Sequence, residues 1–373
     1  MAAKCISCGE RSHLISGALS LCARCIKDNW PKVREHVASV HSAGRVRFGL
    51  PESPPRSGGG VECRFCANRC LVAPGSIGYC GHRRRRNGRN GDRIVGGTAT
   101  ANVGWYYDSL PTNCVGDWVC AGGTGCGYPR YAHSEGPEYG YKNLAVFFRA
   151  CSFDCLFCQN WHYRVDSTGG ASASIDDLAA AVDEHTSCIC YFGGDPSPQL
   201  PFSIAASVRA RRRNPGRILR ICWETNGSMN PAMLRKLARL SIDSGGCIKF
   251  DLKAWDERLH MALCGVSNRR TLENFAAIAE LTSSRHQPPP LIASTLLVPG
   301  YIDDEEVGNI ASFIAKLNPY IPYSLLAFHP QFMMDDLPLT CRNHAESCIE
   351  ASLSAGVKRV RVGNTHLLLK RNY

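Results

Sequence analysis

The chain has no apolar run of about 18 residues, which excludes a transmembrane helix. Its first residues, MAAKCISCGE, lack the apolar core of a secretory signal, so the expectation is a cytoplasmic protein that meets no membrane. Charged residues are only 20% of the 373, and hydrophobic residues are 44%. That balance excludes wholesale disorder. Gly122, Gly123, Gly125 and Gly127 are followed by no Gly-Lys-Ser/Thr, so they form no phosphate loop. The length fits one large domain with accessories.

Cysteine is abundant: there are 21. In a reducing compartment that many thiols point to metal rather than disulfides. The formal charge of +11 counts thiols as neutral. Two four-thiolate zinc sites and one three-thiolate cubane would lower it to roughly +6, so the basic balance points only weakly to nucleic acid.

Residues 1–30 hold Cys5-x2-Cys8 and Cys22-x2-Cys25. Two knuckles at this separation predict a zinc-ribbon-like module. Few apolar residues surround them, so the metal is expected to supply folding energy. Residues 31–60 read as a linker, because PESPPRSGGG is rich in Pro, Gly and Ser. Residues 61–100 carry a second set, Cys63-x2-Cys66-x3-Cys70 with Cys80. This set predicts a metal site, zinc first and an iron–sulfur cluster as the alternative, with His82 as a spare ligand. Arg83 to Arg86 read as a solvated basic run or a dock for an acidic partner. Residues 101–142 read as a loop region in which Cys114, Cys120 and Cys126 fit no metal spacing.

From 143 to 365 short apolar runs alternate with amphipathic stretches. The runs begin with NLAVFF (143–148) and CICYFGG (188–194) and end with VKRVRVGN (357–364). This predicts an α/β fold with a parallel sheet, open or curled into a barrel, with its chemistry at the carboxyl ends of the strands. Cys188, Cys190, Cys222 and Cys247 lie on those strands and read as core packing. Cys264, Cys341 and Cys348 carry no signal. Residues 366–373 read as a tail.

Directly after the first run comes Cys151-x3-Cys155-x2-Cys158. Three soft thiolates can hold three corners of a [4Fe–4S] cubane, which leaves one iron open to a ligand. This loop resembles the signature of the radical S-adenosylmethionine (SAM) enzymes. The resemblance implies a partial (β/α)6 barrel, a cluster that binds SAM, and reductive cleavage of SAM to a 5′-deoxyadenosyl radical that abstracts hydrogen from a substrate. Phe157 matches the aromatic position before the third cysteine. Gly193-Gly194-Asp195-Pro196 resembles the family's Gly-Gly-Glu-Pro, which contacts the SAM amino group; Asp195 is one methylene shorter, which suggests contact through water.

The chain is also similar to activating enzymes of the pyruvate formate-lyase type and to their AmmeMemoRadiSam relatives. Glu224-Thr225-Asn226-Gly227 and Asp251-Leu252-Lys253 resemble two of their strand ends. By that resemblance Glu224 and Asp251 would sit beside a monovalent cation, Asn226 and Lys253 near SAM, and His329 of Phe-His-Pro in contact with it. The segment Cys63–Cys80 with Gly81 resembles the amino-terminal cysteine motif of the AmmeMemoRadiSam branch. The ribbon lies outside the resemblance, and Ser294 stands where activases carry arginine. The resemblance implies a protein substrate such as a glycyl-radical enzyme, and an external electron donor of the flavodoxin or ferredoxin kind. A small-molecule or peptide substrate is the alternative. A zinc-ribbon protein for nucleic acid is a third reading, set apart by salt-dependent binding without SAM cleavage.

Overall fold

The computed structural model describes residues 2–86, 93–166 and 172–373. Residues 87–92, within the second cysteine segment, lie outside the described residues. The core is one nine-stranded sheet. Its strands are β1 (Thr100–Ser109), β2 (Lys142–Phe148), β3 (Ser172–Ser174), β4 (Thr186–Gly193), β5 (Arg220–Thr225), β6 (Ile248–Asp251), β7 (Leu291–Leu297), β8 (Tyr323–Ala327) and β9 (Val360–Gly363). They lie side by side in the order β9-β8-β7-β6-β5-β4-β2-β1-β3. Strands β2 and β4 to β9 are parallel. Strand β1 runs antiparallel to β2, and β3 antiparallel to β1.

The seven parallel strands are the seven apolar runs, one more than a (β/α)6 core contains. They are covered on both faces, so they read as nearly continuous hydrophobic segments such as NLAVFF. The sheet is curled. Phe192 on β4, Glu224 on β5, Asp251 on β6, Ser294 on β7 and Leu326 on β8 all line one cavity. Five flat strands would spread these groups over about 19 Å at 4.8 Å per strand. The fold is therefore α/β with a mixed sheet, wrapped round its interior.

The helices of six residues or more among the described residues are α1 (Ala23–Asp28), α2 (Trp30–Val46), α3 (Ile175–Ala180), α4 (Leu200–Arg213), α5 (Pro231–Ser244), α6 (Glu257–Cys264), α7 (Arg269–Leu281), α8 (Asp304–Leu317) and α9 (Arg342–Ser354). Their ends carry the expected local chemistry. Helix α5 starts at Asn230, whose side chain accepts from the Ala232 amide, has Pro231 as its first residue, and stops at Gly245 with φ +78°. Helix α8 starts at Asp303, which accepts from the Glu306 amide. No helix among the described residues is long and apolar enough to cross a membrane.

Two expectations need correction. Residues 31–60 are not all linker: α2 occupies Trp30–Val46. Val33, Val37, His41, Gly44 and Arg45 are its buried residues, spaced as one helical face. Three of those five are not typical core residues, which hides the stripe. Residues 101–142 are not all loop either. Their first part is β1, whose TANVGWYYDS is rich in strand-forming side chains but interrupted by glycine.

The ribbon is not an isolated metal-held knob. Ile15, Leu19, Leu21 and Ile26 are at most 3% exposed and join the main core. The Tyr301 hydroxyl donates to the Leu21 carbonyl (2.9 Å) and accepts from the Ser16 amide (3.0 Å). Lys27 on α1 pairs with buried Glu306 on α8 at 2.8 Å.

Candidate active site

The loop after β2 carries Cys151, Cys155 and Cys158 into a cavity of about 190 Å³ at the carboxyl ends of the strands. The other side chains there come from successive strand ends. Phe157, Gly193, Gly194, Asp195, Glu224, Asn226, Asp251 and Lys253 all line it, so every residue expected around cluster and SAM is present except one. That one is His329. It is exposed, and its Nδ1 bonds within its own loop, to the Pro330 carbonyl (2.9 Å) and Gln331 (3.1 Å). Phe328 takes the buried position next to it, and its amide is tied to Thr340. The alternation of side chains then turns His329 outward.

Asp195 is also engaged within the protein. Its carboxylate accepts from the Thr225 hydroxyl (2.7 Å), the Asn226 amide (3.0 Å) and the Ser197 amide (2.8 Å). Both oxygens thus bind protein, tying the end of β4 to the end of β5. Burial pushes this carboxyl above its ordinary value, against those hydrogen bonds. Asn226, placed by Asp195, donates to Ser152 Oγ (2.9 Å) and reaches Cys151 Sγ (3.8 Å). Gly194 passes close under the loop: a Cβ there would lie 2.3 Å from the Ala150 carbonyl.

The two acidic strand-end residues already have cationic partners. Lys249 on β6 bonds Glu224, and Lys253 bonds Asp251 at 2.8 Å. Ser294 Oγ also donates to Asp251 (2.9 Å). Lys249 can reach Glu224 because β6 carries it two residues before Asp251, in register with Glu224 on β5. Lys253 is held charged: burial pushes its pKa down, but Asp251 and the nearby thiols outweigh it.

The loop is braced from behind. Asp154 is 2% exposed. It accepts from His41 (2.8 Å), Arg45 (3.2 Å) and Arg164. Helix α2 therefore reaches the cysteine loop through two side chains. Cys264, which carried no sequence signal, lies beside Cys155 at the end of α6.

The strand cysteines are buried, and Cys190, Cys222 and Cys247 pack with Val119 and Ile292 in a small core cluster. Cys188 and Cys190 on β4, Cys222 on β5 and Cys247 before β6 meet Cys114 and Cys120 round a second cavity of about 300 Å³. It adjoins the first through Val115, Phe192 and Glu224. Lys249 is 2% exposed and reaches Cys114 at 2.7 Å and Cys190 at 3.5 Å. The signal was available in the period of two that puts Cys222 with Glu224, and Cys247 with Lys249 and Asp251, on one inward face. Cys126 stays outside this cavity and lines a groove by Arg285.

The amino-terminal sets differ. Cys5, Cys8, Cys22 and Cys25 have all their sulfurs within 4.8 Å of one another, which suits one tetrahedral ion. Cys63, Cys70 and Cys80 are buried and Cys66 half-buried. The His82 ring packs close to Gly96, and its Nε2 is buried without a hydrogen-bond partner. The basic run divides: Arg83 is 1% exposed, while Arg84–Arg86 form a strand paired with Arg93–Val95.

The donor set fits a cubane with one open iron: three soft thiols share a cavity with polar groups placed to hold a second ligand. Residues 145–314 match the radical SAM superfamily profile. That stretch, a little under half of the chain, is similar to the radical SAM superfamily and takes in the cysteine loop and the ends of β4 to β7 that line the cavity. Among its relatives, the isethionate sulfite-lyase activating enzyme of Desulfovibrio desulfuricans is 34% identical over 139 residues, 37% of this chain and 40% of that enzyme. The pyruvate formate-lyase 1-activating enzyme of Escherichia coli K12 is 24% identical over 193 residues, 49% of this chain and 73% of that enzyme. An uncharacterized protein of Methanocaldococcus jannaschii is 22% identical over 316 residues, 82% of this chain and 81% of that protein. The chain spans about half or less of the length of the isethionate sulfite-lyase activating enzymes it matches.

Proposed function

We propose that Cys151, Cys155 and Cys158 hold a [4Fe–4S] cluster, that SAM binds against it, and that the chain acts as an activase on a protein partner. The observation that carries this reading is the meeting of three thiols with Asn226, Asp251 and Lys253 in one cavity. When bound, cluster and SAM supply a one-electron reductive cleavage that ends in hydrogen abstraction. The chain's own residues bind and orient. Lys253 would present a fixed positive charge to the carboxylate of bound SAM, and Asp251, 2.8 Å away, would orient that lysine. Asn226 holds the cysteine loop to the end of β5, and Asp195 fixes Asn226. Buried Phe153 and Phe157 with half-buried Leu296 make an apolar wall that would limit water in the cavity.

The protein partner is supported by likeness to activating enzymes. A glycyl-radical enzyme is the partner we propose, with a flavodoxin- or ferredoxin-type electron donor and a zinc ion in the ribbon. A second reading, hydrogen abstraction from a small molecule or peptide, is favoured by the second cavity, which lies next to the first and could take a substrate. The test is anaerobic incubation of the cluster-loaded chain with SAM and a strong reductant. Wild type is expected to release 5′-deoxyadenosine and Cys155→Ala none. A loaded cluster without SAM cleavage overturns the proposal. A glycyl-radical signal in an added partner protein separates the two substrate readings.

A further inference from the structure

A tetrahedral zinc with bonds near 2.3 Å holds its sulfurs about 3.8 Å apart. A cluster on four thiolates holds them wider, because the iron–sulfide core lies between. Among the described residues, the ribbon quartet is the one set of three or more Cys, His, Asp or Glu gathered within 4.8 Å. The Cys63, Cys66, Cys70 and Cys80 sulfurs are more widely spread, as are those of the Cys151 loop. They still fold together: the Cys63 amide donates to the Cys70 carbonyl (2.8 Å), and the Tyr79 amide, next to Cys80, donates to Cys70 Sγ (3.4 Å).

Arg83 adds an independent observation. It is 1% exposed and stacks over Phe65 at 3.5 Å from the ring centroid. Its Nε donates to the Pro198 carbonyl (2.6 Å) and its Nη1 to the Gly96 carbonyl. Its Nη2 is buried with no hydrogen-bond partner. Phe65 lies between Cys63 and Cys66, so this buried N–H sits against the cysteine loop and calls for an acceptor there.

The loop also packs on the first site. The Ala67 amide donates to the Ser228 carbonyl (2.9 Å), and Asn68 Nδ2 donates to the Ser152 carbonyl (2.7 Å), next to Cys151. We propose that Cys63, Cys66, Cys70 and Cys80 hold a second iron–sulfur cluster, with Arg83 Nη2 donating to one of its sulfurs.

The test uses the full chain, loaded anaerobically with iron and sulfide in the presence of zinc. The variant C151S/C155S/C158S leaves this site as the remaining place for a cluster. Wild type is expected to hold about eight irons and one zinc, and the triple variant about four irons and one zinc, with an EPR signal on reduction. In otherwise wild-type chain, Cys66→Ser is expected to lose about four irons and keep the Cys151 complement. A triple variant with two zincs and no iron overturns the proposal. If the Cys151 reading alone fails, wild type and triple variant hold the same iron, and this proposal stands. Arg83→Gln in the triple variant is expected to keep the iron and lower the reduction potential, since a cationic donor stabilises the reduced cluster. An unchanged potential overturns the role of Arg83.

Discussion

Asp154 sits in the cysteine loop and meets two buried guanidinium groups and a buried imidazole. Burial pushes its carboxyl up, but the His41 hydrogen bond and the charges of Arg164 and Arg45 outweigh this and hold it below the usual carboxylate value. Replacing Asp154 with Ala leaves Arg45 and Arg164, each 1% exposed, without that counter-charge. Breaking a buried pair from one side costs about 3–5 kcal/mol. At about 2–3 kcal/mol per molar, the urea midpoint is expected to fall by about 1–2 M. Asp154→Asn keeps a carbonyl acceptor but not the charge, so it is expected to lose most of this. The depressed pKa gives the pH dependence: the stabilisation is present above the ordinary carboxylate value and lost as pH falls below it. Urea unfolding of the cluster-free chain, followed by Trp fluorescence, measures it. A midpoint shift under about 0.3 M for Asp154→Ala would refute the idea that α2 braces the loop through this charge.

Four further outcomes are expected. Lys253→Met weakens SAM binding by about tenfold with the cluster intact, as loss of one charge-assisted hydrogen bond requires; calorimetry on the loaded chain that finds equal affinity removes Lys253 from the site. Gly194→Ala forces a Cβ to 2.3 Å from the Ala150 carbonyl, so the backbone must move and about 3 kcal/mol of stability is lost; a Tm within a degree of wild type contradicts that close approach. Gly300→Ala brings a Cβ to 2.1 Å from the Leu14 carbonyl at φ +77°; hydrogen exchange over residues 12–28 is expected to rise, and unchanged protection denies that the ribbon docks there. Burial lowers the His260 pKa from 6.5 to about 4, and its Nδ1 bonds the Val266 carbonyl at 2.7 Å. The unfolded chain therefore binds the proton first, and stability falls as pH drops from 6.5 towards 4. In His260→Leu that loss shrinks, and parallel stability–pH curves for the two proteins would rule it out.

The parallel strands were legible because each is buried on both faces and so reads as an apolar run. The cysteine loop was legible because its spacing is local: three thiols within eight residues meet wherever the chain goes next. The strand-end motifs were legible for the same reason, as Gly193–Asp195, Glu224–Asn226 and Asp251–Lys253 each occupy one turn. Contact across the sheet was not. Lys249 reaches Glu224 because β5 and β6 are neighbours in register, with Glu224 opposite Lys249. Likewise His41 reaches Asp154 across 113 positions. Such partners share no sequence interval that a pattern could detect.

The sequence alone determined the alternation of strand and helix, the loop that holds three thiols, and the two amino-terminal quartets, since these depend on period and spacing along the chain. Only the tertiary structure decided which carboxylates are already paired, which histidine faces solvent, that the strand cysteines surround a cavity, and that one quartet is tight and the other wide. Those features depend on the register between strands and on the distance between atoms far apart in the chain, and the curl of the sheet sets both.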